Sequence, residues 1–402
     1  MNRRAKLLAV SVPAAAVACV LLAVGVEIWT RWQWNDRKGT PGFFLSDPVR
    51  IQRLAPGYTG WFGGVPVKIN QLGFRDDREY RLQKSPATFR ILVLGDSVTF
   101  GHGSVYEHSY PYLLEQRLKA WRPDVDWQVW NAAVPGYNTS QELAHLLDVG
   151  PRFSPDLVVV GFFENDIVEN FPVRSPTRLA RARSAVLSGL YRHAYSIELY
   201  KRLYLQVAWM VSGANSYRQR LAHIGEEERL IANVAQIQDL DAQQLTPFDR
   251  RSDDDVASSD CPKAPQLNRD LLDVIQRERG WSDWLAAVRR FQQLHRDRAY
   301  SVVFFVNLVP LACPDEDAFY DGGTARLNRF YMQILGEGTP AASVYDTFRH
   351  LRPSQMPVAS GHALGNSNSV KADVLFEYVR DHVLGNPMSG RAAAIFRSLP
   401  SR

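Results

Sequence analysis

The chain has 402 residues, of which 46% are hydrophobic and 22% charged, with a formal net charge of +5. This length can bury a sizeable core and suits one domain with additions. The mild positive charge is not the dense basic stripe of a nucleic-acid-binding protein, and the sequence has no Walker loop, zinc-type Cys/His spacing or repeat. We therefore expect no nucleic-acid partner, no cofactor and no metal.

The N-terminus joins a basic segment to a long apolar one. Asn2-Arg3-Arg4-Ala5-Lys6 precedes an apolar run from Leu7 to Val26, and three tryptophans follow between positions 29 and 34. Such a run is long enough to cross the ~30 Å hydrocarbon layer, and tryptophan is typical of the membrane interface. We predict that residues 1–30 form a cytoplasmic tip and an uncleaved transmembrane anchor. A cleaved signal peptide is the alternative, but no convincing Ala-x-Ala site follows the run.

Residues 31–88 are rich in glycine, proline and aromatic residues, with short strand-like runs such as Val65–Ile69. We predict a stem followed by a small β element that packs on the main domain.

From residue 89 onward, apolar runs of strand length alternate with segments of helical spacing. The predicted strands are Phe89–Leu94, Trp127–Ala132, Leu157–Phe162, Val302–Leu308 and Ala342–Tyr345. The predicted helices are Tyr110–Trp121, Ser140–Val149, Ser282–Gln293, Thr324–Leu335 and Ser369–Leu384. This alternation predicts a parallel sheet with helices on both faces.

The main domain is predicted to cover residues 89–385, followed by a disordered tail at residues 386–402. An insertion at about residues 167–280 separates the third and fourth predicted strands, and its first half is helical and rich in aromatic residues. A cluster of basic residues there could face lipid phosphates or an acidic glycan, or form a solvated helix face; it consists of Arg174, Arg178, Arg181 and Arg183.

Short polar motifs follow the first three predicted strands. They are Gly95-Asp96-Ser97, the segment Asn131–Asn138 and Glu164-Asn165-Asp166, and Gly361-His362 precedes the last helix. Carboxyl ends of parallel strands meet at the edge where ligands bind and where helix N-termini present free N–H groups. A serine at that edge can serve as a nucleophile near donors that hold an oxyanion.

These four motifs, in this order, resemble the four sequence blocks of the SGNH (GDSL-type) hydrolase family over roughly Ile91 to Leu384. The resemblance implies an α/β, three-layer, flavodoxin-like fold with a five-stranded parallel sheet. It implies a serine ester hydrolase or O-acyltransferase that acts through a Ser97 acyl-enzyme, with His362 as the base. It also implies an oxyanion hole formed by the N–H groups of Ser97 and Gly136 and the side chain of Asn165.

One position departs from the family pattern. Most members carry Asp three residues before the catalytic His, and Ala359 stands there. Either Ser97 and His362 act as a dyad whose ring a backbone carbonyl orients, or another acid orients it, for which Asp346 is the candidate. A weakened or inactive site is the third alternative, and His350 is the alternative base.

Cys261 and Cys313 are the two cysteines outside the apolar N-terminal run. Two cysteines on an exported domain suggest one disulfide, which would contribute a few kcal/mol, roughly, in the loop-entropy account; two unrelated buried thiols are the alternative. A disulfide suits a single-pass protein of the inner membrane whose catalytic domain lies on the periplasmic or extracytoplasmic side.

Anchored members of the family are often tied to acylation of exopolysaccharide or cell wall. The resemblance therefore implies an acylated envelope or extracellular polysaccharide, or another ester, as the substrate, and envelope polysaccharide assembly proteins as partners. The alternative from another functional class is a catalytically weak or inactive glycan-binding or assembly protein that keeps the fold.

Overall fold

The computed structural model begins with a long helix, α1 (Arg3–Gln33). Its segment Pro13–Gln33 has a mean hydropathy of 1.8 and could cross a membrane by length and composition. The structure describes residues 3–168, 170, 173, 175–213, 218, 221, 238, 239, 241, 242, 252, 271–313, 317–320, 323–359 and 361–385. The predicted tail at residues 386–402 and most of the second half of the insertion lie outside these residues.

Two antiparallel hairpins follow α1. Strand β1 (Phe44–Asp47) pairs with β2 (Ile51–Leu54), and β3 (Thr59–Phe62) pairs with β4 (Val65–Lys68). Alternate side chains of β4 are buried, as period-2 patterning requires of a strand with one covered face. The buried cluster beneath the hairpins also includes Phe100, Val134 and Tyr137 of the main domain. We call residues 39–69 the β element; it packs directly on the main domain.

The central sheet has five parallel strands. They are β5 (Thr88–Gly95), β6 (Asp126–Asn131), β7 (Leu157–Phe162), β8 (Val302–Val306) and, after the short hairpin β9 (Leu311–Ala312) and β10 (Phe319–Tyr320), β11 (Ala341–Ser343). Their spatial order is β11-β8-β7-β5-β6, and every neighbouring pair is parallel. This is the flavodoxin-like order, in which the chain reverses its direction of travel between β5 and β7. The predicted fold class is confirmed.

Helices cover both faces of the sheet. In chain order, the helices whose limits the structure describes after α1 are α2 (Ser97–Phe100), α3 (Tyr110–Trp121), α4 (Thr139–Phe153), α5 (Asn165–Val168), α6 (Arg178–His193), α7 (Ser196–Ser212), α8 (Leu271–Arg277), α9 (Trp281–Arg296), α10 (Gly323–Leu335), α11 (Tyr345–Arg349) and α12 (Gly365–Tyr378). A π-helical segment, Val379–Leu384, continues α12. Two antiparallel strands of two residues each, β12 (Val358–Ala359) and β13 (His362–Ala363), precede α12.

Strand β5 shows how the sheet separates two apolar layers. Ile91 and Val93 lie in a buried cluster with residues of α3 and α12, whereas Leu92 and Leu94 lie in a second cluster with residues of α4, α9 and α10. A parallel strand covered on both faces needs such a continuous apolar run. Helices α6 and α7 belong to the predicted helical insertion.

Candidate active site

The site begins where β5 passes into α2. Asp96 caps that helix, because its Oδ1 accepts a hydrogen bond from the Val98 N–H at 2.8 Å. A Cβ at Gly95 would lie 2.1 Å from Thr99 Oγ1, so only glycine fits before the cap. Ser97 is therefore the first helical residue, held at the carboxyl edge of the sheet with its side chain partly exposed.

The imidazole of His362 lies against the hydroxyl of Ser97. His362 Nε2 is 2.8 Å from Ser97 Oγ, although 265 residues separate the two in sequence. His362 belongs to β13 and pairs with Ala359 across the two-residue ladder. With the ring proton on Nδ1, Nε2 can accept the Ser97 proton, which is the arrangement that a serine nucleophile and its base require.

Asn165 lies beside the nucleophile at the start of α5. Its Nδ2 donates to Asp96 Oδ2 at 3.1 Å, so the carboxylate that caps α2 also holds this amide. An amide nitrogen has two hydrogens, and this bond uses one of them. The capping carboxylate thus fixes the orientation of Asn165 relative to Ser97.

Gly136 is an exposed residue between buried neighbours in the loop after β6, the strand that pairs with β5. Its backbone φ is +77°, which is the left-handed region that glycine adopts without strain. Gln52 Nε2 of the β element donates a hydrogen bond at 2.8 Å to the carbonyl of Pro135, the residue before Gly136. The loops that carry Ser97, Gly136 and Asn165 therefore follow three adjacent strands of one sheet.

Asp346 lies on α11, and its contacts are made elsewhere. Its side chain is 77% exposed, and Oδ1 lies 3.6 Å from Arg349 Nε. Ser343 Oγ accepts a hydrogen bond from the Tyr345 N–H, so the chain already turns into α11 where the sequence predicts a strand. The described contact of the Asp346 side chain is thus within α11, with Arg349.

The alternative base, His350, follows α11, with its Nδ1 2.6 Å from the Asp346 carbonyl oxygen. This contact ties the ring to the end of that helix. Cys313 is buried and its N–H donates to Ala318 O, whereas Cys261 lies outside the described residues, so the disulfide stays a prediction. In the part of the chain that the structure describes, no group of three His, Cys, Asp or Glu side chains is arranged to hold a metal ion.

Four ionisable side chains are buried in this part of the protein. They are Asp96, Glu142 on α4, Asp166 on α5 and Lys371 on α12, each about 1% exposed. Burial raises the pKa of all three carboxyl groups, and the mutual repulsion of these carboxylates raises the pKa of Glu142 and Asp166 further. Burial lowers the pKa of Lys371 to about 8, and the Asp96 charge opposes this shift.

Sequence reasoning missed two residues that support Ser97. The guanidinium of Arg75 is buried and donates to the carbonyls of Phe100, Gly101 and Ser104, which fixes the loop after α2. The His102 N–H donates to the Ser97 carbonyl at 3.0 Å, and its ring centroid lies 4.6 Å from that of His362. The contacts of the Arg75 guanidinium and the His102 ring join segments that are distant in the sequence, so the apolar pattern does not show them.

The model of the GDSL-like lipase/acylhydrolase family matches residues 93–364, from the middle of β5 to the residue before α12. The chain belongs to this family. The match includes both members of the Ser97–His362 pair and confirms the predicted resemblance. GDSL-like proteins are ester hydrolases, and the flavodoxin-like sheet of this chain is the fold of the SGNH esterases.

A curated protein and several solved structures are similar to parts of the chain. An arylesterase from Vibrio mimicus is 36% identical over 88 residues, which cover 22% of this chain and 43% of that protein, so the match spans less than half of the curated relative. A catalytic mutant of an acetylxylan esterase from Geobacillus stearothermophilus has a TM-score of 0.38 at 10% identity, covering 72% of this chain and 94% of that one. The protein TesA has a TM-score of 0.36 at 13% identity, covering 73% and 98%.

Proposed function

We propose that the protein is a serine ester hydrolase or O-acyltransferase in which Ser97 is the nucleophile and His362 the base. The observation that carries this proposal is the 2.8 Å contact between Ser97 Oγ and His362 Nε2 at the carboxyl edge of the sheet. Ser97 Oγ attacks the acyl carbon while its proton passes to Nε2. The resulting oxyanion accepts hydrogen bonds from the N–H groups of Ser97 and Gly136 and from Asn165 Nδ2.

Collapse of this intermediate expels the alcohol, which takes the proton from His362 and leaves the acyl group on Ser97. A water molecule then gives a proton to His362 and attacks the acyl-enzyme. Collapse of this second intermediate breaks the bond to Ser97 Oγ, which takes the proton back from His362, and releases the acid. In a transferase, a sugar hydroxyl replaces water in this second half. The two outcomes share every residue of the first half and differ only in which acceptor reaches the acyl-enzyme.

We propose that Ser97 and His362 act as a dyad. The position three residues before the base is Ala359, and Asp346 lies exposed on α11 with its charge paired to Arg349. The His102 ring packs against the ring of His362, and packing restricts the angle at which the imidazole can sit. In this dyad, the packed His102 ring helps to hold the imidazole in place.

We further propose that α1 is an uncleaved membrane anchor and that the catalytic domain lies on its extracytoplasmic side. Glu27 near the end of α1 accepts hydrogen bonds from the N–H groups of Tyr195 and Ser196 at the start of α7. Arg31 donates to the His193 carbonyl at 2.5 Å. Cleavage of α1 as a signal peptide would remove these partners, and their presence supports retention of the helix.

For the substrate, we propose an acylated envelope or extracellular polysaccharide, with polysaccharide assembly proteins as partners. This proposal rests on the motifs shared with anchored members of the family.

Labelling by a fluorophosphonate tests the nucleophile directly. We expect the full chain to be labelled and to hydrolyse p-nitrophenyl acetate, and both properties to be lost in Ser97→Ala. The alternative is an inactive glycan-binding protein, for which the replacement of the usual Asp by Ala359 is the argument. A chain that is never labelled, but that shows a glycan-dependent thermal shift unaffected by Ser97→Ala, would establish that alternative.

A further inference from the structure

A cavity of about 460 Å³ lies between the end of α1, the α6–α7 pair and the β element. This volume is within the range of cavities that bind small molecules, ~300–1,000 Å³. Aromatic side chains from all three walls line it, namely Trp29, Trp34, Phe43, Phe44, Phe62 and Tyr191. These rings offer area for burying an aliphatic chain. The lining also includes the charged residues Glu198, Lys201 and Arg202, so the cavity suits a ligand that joins an aliphatic chain to a polar group.

One wall of this cavity is the continuation of the helix that could cross a membrane. Trp29 and Thr30 line the cavity, and the same helix exposes Leu21 and Leu22 two turns earlier. Glu27 is fixed to α7 by the Tyr195 and Ser196 N–H groups at 3.0 and 2.9 Å. With α1 as the proposed membrane anchor, the cavity would lie where this helix leaves the hydrocarbon layer, next to the lipid surface.

The α6–α7 pair presents an apolar surface beside the cavity. Leu203, Tyr204, Met210 and Val211 of α7 are 53 to 83% exposed. A helix that exposes large apolar side chains next to a membrane anchor is suited to lie at the lipid interface. Continuity with α1 identifies the lipid bilayer as what covers this surface.

Two residues connect the cavity to the surroundings of Ser97. Phe62 lines the cavity, and its ring centroid is 5.0 Å from that of His102, whose ring packs on His362. Gln52 also lines the cavity and donates to the carbonyl of Pro135, the residue before Gly136. The cavity and the catalytic edge thus share the β element as a common wall.

We propose that this cavity binds the aliphatic chain of an ester that enters from the bilayer, with the ester carbonyl directed toward Ser97. The proposal rests on the proposed transferase activity of Ser97 and names its acyl donor, a membrane lipid ester, while the envelope polysaccharide is the acceptor that becomes acylated. In a transferase, this lipid ester would be the acyl donor: Ser97 takes the acyl group, the lipid alcohol leaves with the proton from His362, and the sugar hydroxyl receives the acyl group. A cavity of this kind favours longer chains, because each additional methylene buries further apolar surface.

Chain-length selectivity of the full chain in lipid nanodiscs tests the proposal. The measurement is the ratio of kcat/KM for p-nitrophenyl dodecanoate to that for p-nitrophenyl acetate. Leu199→Asp places a charge in the cavity, and we expect this ratio to fall at least about tenfold, which is ~1.4 kcal/mol of differential binding. Ile197→Trp fills the cavity without a charge and is expected to change the ratio in the same direction.

Val274→Asp is the matched control, because Val274 is an exposed apolar residue of α8 that does not line the cavity. We expect it to leave both rates unchanged. An unchanged ratio in both Leu199→Asp and Ile197→Trp overturns the proposal.

A second measurement separates this proposal from the catalytic one. The full-length Ser97→Ala chain is placed in nanodiscs that contain a fatty acid bearing a diazirine, and the cross-linked residues are mapped by mass spectrometry. Cross-links within residues 42–44, 191 or 197–202 support the cavity as an acyl-chain site even if no hydrolysis is detected. Cross-links confined to residues 13–28 reject it, whatever the activity of the wild-type chain.

Discussion

The carboxyl edge of the sheet and the α6–α7 pair are built in opposite ways. At the carboxyl edge, polar groups such as Asp96 and Arg75 are buried, and hydrogen bonds to backbone or side-chain groups hold them in place. On α7, apolar side chains such as Met210 and Val211 are exposed. Buried polar groups are costly and mark positions where geometry matters, whereas exposed apolar surface marks a contact with something outside the chain.

The largest expected effect comes from removing either member of the Ser97–His362 pair. Ser97→Ala and His362→Ala should each lower kcat/KM for p-nitrophenyl acetate by at least about 10³-fold, because the remaining oxyanion donors do not replace the nucleophile or its base. Circular dichroism should show both variants folded. If His362→Ala keeps activity within tenfold of wild type, His362 is not the catalytic base.

Asn165 gives the next effect. Asn165→Ala should lower kcat by roughly 10²–10³-fold with little change in KM, because the amide acts on the oxyanion that forms only in the transition state. Fluorophosphonate labelling reports whether Ser97 is still reactive, and steady-state kinetics report the loss of oxyanion stabilisation. Asn165→Asp is the matched control: it keeps the size of the side chain but has no donor, and it should be as slow as Asn165→Ala. Full activity in Asn165→Asp would remove the amide from the oxyanion hole.

Arg75 tests whether the edge depends on its buried hydrogen bonds. Arg75→Met keeps an apolar stem but leaves the carbonyls of Phe100, Gly101 and Ser104 without their donor. We expect a loss of about 2–4 kcal/mol in the free energy of unfolding, since each unsatisfied buried group costs about 1–3 kcal/mol before relaxation. Urea denaturation measures this change in the free energy of unfolding. Met210→Gln on α7 is the contrasting variant, and its stability should stay within about 0.5 kcal/mol of wild type. Equal losses in both variants would remove the distinction between the two regions.

Glu142 gives a pH-dependent effect on stability. Its carboxyl group is buried without a hydrogen-bond partner among the described residues, and burial raises its pKa in the folded state well above 4.5. The folded chain therefore binds more protons than the unfolded chain above pH 4.5, so stability from this group falls as the pH rises from 4.5 to the folded-state pKa. Glu142→Gln should differ little from wild type near pH 4.5 and gain at most about 1.4 kcal/mol per pH unit above it. Denaturation at several pH values checks this slope, and parallel curves for the two chains contradict it.

The smallest expected effect is at Asp346. Asp346→Asn should change kcat/KM less than about twofold, because the carboxylate is exposed and paired with Arg349, and an exposed pair contributes little. Its pH–rate profile should overlay that of wild type. A large loss of activity with unchanged folding would restore a triad and reject the dyad.

Much of the fold could be predicted from the sequence. Strand Leu157–Phe162 and helix Tyr110–Trp121 have the predicted limits, because the strand is a continuous apolar run and the helix keeps helical spacing of its apolar residues. The predicted fifth strand, Ala342–Tyr345, was wrong at its end, since the Ser343 hydroxyl binds the Tyr345 N–H and the chain enters α11. That local hydrogen bond competes with strand pairing and leaves no signal in the apolar pattern. The same error made Asp346 a candidate, because it placed this residue at a strand end.

The sequence by itself determined the order of the motifs, the parallel sheet and the three strand ends at which Ser97, Gly136 and Asn165 stand. Only the tertiary structure decided that His362 meets Ser97, that Arg75 and His102 support them, and that α1 borders a cavity shared with the β element. The physical reason is the range of the interactions. Period and turn chemistry are set by residues a few positions apart, whereas these contacts join segments whose proximity depends on how the helices and hairpins pack on the sheet.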